Sequence, residues 1–83
     1  MVIHEIRSAR PVNTFHLILE FDQGEYRLVD IRHFIKGPVF EPLMDESFFK
    51  KVKVDQDACT VTWPGDIDLD PNVLYQNSLP YSH

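Results

Sequence analysis

The clearest periodicity in the chain lies between residues 14 and 31. Phe15, Leu17, Leu19 and Phe21 alternate with Thr14, His16, Ile18, Glu20 and Asp22, the period-two signature of a strand. Gln23-Gly24 then reads as a two-residue turn, with glycine free to take a positive φ. Glu25 to Ile31 is the predicted return strand. This loop length sets Phe21 opposite Tyr26, Leu19 opposite Leu28 and Glu20 opposite Arg27, pairing aromatic with aromatic and acid with base. The outer face of the hairpin then carries Ile18, Val29 and Ile31, more apolar surface than a solvated face needs, and these three are the candidate interaction surface.

The flanking segments are less regular. Val2 to Ala9 alternates only fairly and reads as a first strand, which Arg10-Pro11-Val12-Asn13 is expected to break. Arg32 to Lys36 is ambiguous and ends at Gly37-Pro38. Val39-Phe40 reads as a short extended piece, and Pro42 keeps its neighbourhood out of a helix interior. Asp45 to Lys51 reads as a short helix, with Asp45 as N-cap, acids in the first turn and lysines in the last. Lys51–Val54 and Cys59–Trp63 read as a second hairpin, Val52 facing Val61 and Val54 facing Cys59. Pro64-Gly65-Asp66 turns the chain into a brief strand at Ile67 and Leu69. Asp70-Pro71 then starts a last helix, with aspartate as N-cap and proline in the first helical position.

These elements predict a small α+β fold: a mainly antiparallel sheet, made of two hairpins plus short strands, with two short helices. Residues 1–77 form the single domain and 78–83 a flexible tail. Composition narrows the function classes. Of 83 residues, 43% are hydrophobic, enough for a packed core, and the net charge is −5 with no basic cluster. That balance argues against nucleic-acid binding and suits a basic protein partner. No apolar run approaches a membrane span and no signal-peptide pattern is present, so the expected location is cytoplasmic.

Candidate chemistry is sparse. Asp66, Asp68 and Asp70 alternate like a calcium loop, but an EF-hand counted from Asp66 needs glycine where Pro71 stands and glutamate where Asn77 stands. A turn with Asp70 as a helix cap is the simpler reading. The four histidines have no ligand spacing; His16 and His33 approach only if Ile31 lies opposite His16. Cys59, the single cysteine, has no base in view and reads as a small buried hydrophobe. Ser47 lacks the glycines of a nucleophile elbow, and the three glycines are too dispersed to cradle phosphate. The expectation is no enzyme, no metal and no cofactor. Trp63 and Tyr75, with Phe40, are either core or the lining of a ligand groove.

The runs GPVFEPLMDESFFKKVKVD (Gly37 to Asp55) and TVTWPGDIDLDPNVLY (Thr60 to Tyr75) carry a resemblance. Through Gly37, Phe40, Leu43, Asp45, Phe49, Val52, Val54, Trp63, Pro64, Asp68, Leu69, Pro71, Leu74 and Tyr75 the chain resembles the small bacterial family called domain of unknown function 2442. One departure is Trp63-Pro64-Gly65-Asp66, where that family often reads Trp-Pro-Asn-Gly. The resemblance implies a compact α+β domain with no established catalytic residues. Some relatives carry a helix-turn-helix unit, and others are encoded beside a second small protein in pairs that look like toxin and antitoxin. Two functions follow as expectations: a protein-interaction module with an antitoxin-like role, or a stand-alone ligand-sensing domain. A homodimer is compatible with either.

Overall fold

The computed structural model describes residues 4–13 and 15–82. Two antiparallel sheets share one core. The first is ordered β1 (Ile6–Val12), β2 (His16–Phe21), β3 (Tyr26–Asp30) and β7 (Leu79–Pro80). The second is ordered β4 (Lys53–Asp55), β5 (Thr60–Trp63) and β6 (Ile67–Asp68). Helices α1 (Glu46–Phe49) and α2 (Pro71–Gln76) complete the α+β fold, with 3₁₀ turns at Ile31–Phe34 and Pro38–Met44. Asp45 caps α1 by accepting the Ser47 N–H at 2.9 Å, and Asp70 caps α2 by accepting that of Asn72 at 2.8 Å. Both caps are where the sequence places them.

The register of the first hairpin differs from the expected one by a single residue. The loop is three residues, Asp22–Gly24, with Gln23 at φ 72° and Gly24 at φ 79°. Glu20 therefore faces Tyr26, Leu19 faces Arg27, Ile18 faces Leu28 and Leu17 faces Val29. A one-residue slip turns a whole strand over. Val29 and Ile31, expected on the outer face, lie in the core at 1% and 0% exposure. Energetics explains the choice. The two cross-strand pairs used to fix the expected register contribute roughly 0.2–1 kcal/mol each, whereas burying two β-branched side chains contributes about 1.5–3 kcal/mol apiece.

Other boundaries shift for local reasons. Pro11 does not end β1; it pairs with Leu17 on an edge strand, where a missing N–H leaves no central ladder position unmade. Val2 and Ile3, read as the start of that strand, lie outside the described residues. In the second hairpin Val54 faces Val61 and Lys53 faces Thr62, two residues away from the expected register. Cys59 sits in the turn at φ 57°, and the Asp55 carboxylate accepts the N–H groups of Asp57 and Ala58. A shift of two keeps each side chain on its expected face. Val39 and Phe40 belong to a 3₁₀ turn rather than an extended piece. Residues expected to form a loose tail instead add β7, where Leu28 faces Leu79 and the Tyr81 N–H donates to Tyr26 O at 3.0 Å.

The core joins Ile6, Leu17, Leu19, Phe21, Val29 and Ile31 of the first sheet and its flank to Val61, Trp63, Ile67 and Leu69 of the second, with Leu43, Phe49 and Leu74. Ile18 is also buried, at 6% exposure, but is not part of this cluster. It lies on the opposite face of the first sheet.

Candidate functional site

That opposite face is the site the fold leaves open. Alternation along each strand, combined with the observed pairing, lays its side chains out in cross-strand rows. One row runs Ser8, Glu20 and Tyr26 and continues to Tyr81. The middle row is Arg10, Ile18, Leu28 and Leu79. The third is Val12, His16 and Asp30. Leu79 is 68% exposed, while Val12, Leu28, Tyr26 and Tyr81 are half-buried. Two depressions flank the middle row. One, of about 260 Å³, is lined by Ser8, Arg10, Ile18, Tyr26 and Tyr81. The other, of about 330 Å³, is lined by Val12, Asn13, His16 and Leu28 and is more open.

Of the three residues predicted to form an interaction surface, the structure places Ile18 on this face and takes Val29 and Ile31 away from it. Arg10, Leu28, Tyr26, Leu79 and Tyr81 were missed. Two signals would have found Arg10, Tyr26 and Leu28. Proline is tolerated on an edge strand, which lets β1 run through Arg10 to Val12. A three-residue loop at Asp22–Gly24 exchanges the faces of β3.

The predicted groove of Phe40, Trp63 and Tyr75 is not assembled. Trp63 is 1% exposed and its indole Nε1–H donates to the Phe49 carbonyl at 2.9 Å, so it is core. Phe40 packs against the same core. Tyr75 fastens α2 to the first sheet. Its ring stacks on His4 at 3.8 Å between centroids, meets Phe21 edge-on, and has the Arg27 guanidinium 4.2 Å from its centre. Its hydroxyl donates to the Glu25 carboxylate at 2.9 Å, and Arg27 reaches the same carboxylate at 2.7 Å. Arg27 and then Tyr75 hold the Glu25 carboxyl below its ordinary pKa, and the Glu25 hydrogen bond raises that of Tyr75. Neither depression of the open face touches these residues, nor does a third, of about 290 Å³, beside Cys59.

Charge on the open face is mixed. Asp30 accepts from Arg32 at 2.8 Å and lies 3.9 Å from His16 Nε2. The Arg32 hydrogen bonds bring its pKa down to about 2. His16 lies opposite Asp30, not Ile31, which removes the premise for a His16–His33 pair. Glu5 and burial push the Cys59 thiol upward, the opposite of what a thiolate nucleophile needs. Asp66 sits in the turn at φ 62°, Asp68 lies in β6 and Asp70 caps α2. Among the described residues no group of three or more His, Cys, Asp or Glu is placed to hold a metal ion. Among them, too, no helix is long and apolar enough to cross a membrane.

No curated protein and no solved structure matches this chain. A family model does, over residues 6–80, which takes in both sheets and both helices. The chain belongs to the family described as Protein of unknown function (DUF2442).

Proposed function

We propose that this chain is a non-enzymatic protein-interaction module that docks its partner on the open face of the four-stranded sheet. The observation that carries the reading is the run of Ile18, Leu28 and Leu79 in the middle row, which beyond Arg10 is apolar across three adjacent strands and separate from the core. A solvated antiparallel face ordinarily alternates to polar residues, so an apolar row there suits a partner. The net charge of −5 favours a basic partner by steering its approach. The finer reading is a bacterial, cytoplasmic, antitoxin-like protein paired with the small product of a neighbouring gene. It rests on the family resemblance.

The test is co-expression with the neighbouring gene product. Co-purification that is lost in Leu79→Glu supports the reading, because Leu79 is exposed and its replacement leaves the core intact. Absence of a complex, or a complex indifferent to both Leu79→Glu and Leu28→Glu, overturns it. A homodimer through the same face would appear as a doubled mass that Leu79→Glu halves.

A second reading, a ligand-sensing domain, is favoured by one observation. The depression of about 260 Å³ combines an apolar floor with polar and cationic groups.

A further inference from the structure

We propose that the depression bounded by Ser8, Arg10, Ile18, Tyr26 and Tyr81 binds a small aryl carboxylate. The proposal rests on the ligand-sensing reading and shares Ile18 with the protein-docking one. The floor is Ile18, 6% exposed, and beside it stand Tyr26 of β3 and Tyr81, the residue just past β7. Aliphatic floor and aromatic walls accept a flat ring by offset or edge-to-face packing. A volume of about 260 Å³ is enough to hold a one-ring molecule.

The charge of the ligand follows from Arg10. It lines the depression, and among the described residues its guanidinium makes no ion pair. A planar guanidinium matches a carboxylate through two parallel hydrogen bonds. Among the described residues Arg10 is the only cation in the lining, so one negative charge is balanced. A phosphate dianion would leave one charge unbalanced. The site therefore favours a monoanion carried on a ring.

The experiment follows amide chemical shifts of the full chain titrated with benzoate and, separately, benzamide at matched millimolar concentrations. Benzoate is expected to shift residues around Ser8, Arg10, Ile18, Tyr26 and Tyr81, and to bind about tenfold more tightly than benzamide. Arg10→Gln should remove that tenfold advantage and leave benzamide binding unchanged. Arg10 is exposed, and an unaltered spectrum away from the site verifies that the variant folds. Equal binding of acid and amide overturns the carboxylate assignment while leaving a ligand pocket. Shifts elsewhere, or none with either probe, overturn both the assignment and the ligand-sensing reading.

Discussion

Trp63 donates its indole N–H to the carbonyl oxygen of Phe49, 14 residues earlier in the chain, at 2.9 Å. The bond ties β5 to the end of α1, a helix of only four residues that needs tertiary contacts to persist. The Phe49 ring lies 6.0 Å from the indole in a tilted contact. In Trp63→Phe the ring contact survives in part, but the buried carbonyl loses its side-chain donor and a void opens. The expected loss is about 2–4 kcal/mol from the two causes together, read as a lower urea midpoint with an unchanged slope.

Val29 discriminates between the two registers of the first hairpin. Opposite Leu17 it is 1% exposed, so Val29→Asp buries an unpaired carboxylate and should abolish cooperative thermal unfolding. Leu79→Asp, at a site 68% exposed, should leave stability within about 0.5 kcal/mol of the parent. A well-folded Val29→Asp variant would restore the register in which Val29 points outward.

That contrast shows which parts of the molecule are legible in the sequence. Caps and turns announce themselves because their residue types satisfy local demands: Asp45 and Asp70 accept orphan N–H groups, and Pro71 fits the first helical turn. Register is non-local. It depends on whether Gln23 takes a positive φ, a choice settled by how much Val29 and Ile31 gain in the core. The open face depends on that choice, so its residues could not be read correctly from a hairpin drawn one residue out of step. Tyr81 was hidden for another reason: β7 is two residues long and carries no periodicity.

Glu25 and Tyr75 should titrate as partners. The folded pKa of Glu25 lies below its unfolded value, so its contribution to stability is present above that value and fades as pH falls. Tyr75 is raised, so its contribution holds below the ordinary tyrosine pKa and fades as pH rises through the folded one. Side-chain carbon shifts should show Tyr75 ionising above the usual tyrosine range, and Glu25→Gln should lower that midpoint. A Tyr75 midpoint indifferent to Glu25→Gln would mean the hydroxyl does not engage the carboxylate in solution.

Asp30 predicts a mild acid sensitivity. Hydrogen bonds from Arg32 set its folded pKa at about 2, below the ordinary 3.8, so its contribution is complete above the higher value and lost as pH falls through the lower. The pair is partly solvated, with Arg32 half exposed, so solvent screening keeps its worth small. Parent and Asp30→Asn stabilities should differ at neutral pH and converge at the acid end. A constant difference across the range would place the effect of the substitution elsewhere.

The turn after Trp63 carries the last prediction. Gly65 and Asp66 both hold positive φ, 92° and 62°, between the paired Trp63 and Ile67. A methyl group added at Gly65 would meet nothing within 4 Å, so Gly65→Ala carries no steric penalty from neighbours. Its whole cost is conformational, about 1–2 kcal/mol for an L-residue in the left-handed region. Asp66→Asn should be near neutral, because asparagine tolerates that region as well as aspartate does. Thermal unfolding of the two variants measures the difference. Equal melting temperatures would show that the turn relaxes to another geometry, and the Trp63–Ile67 pairing that closes the second sheet would then owe nothing to glycine at position 65.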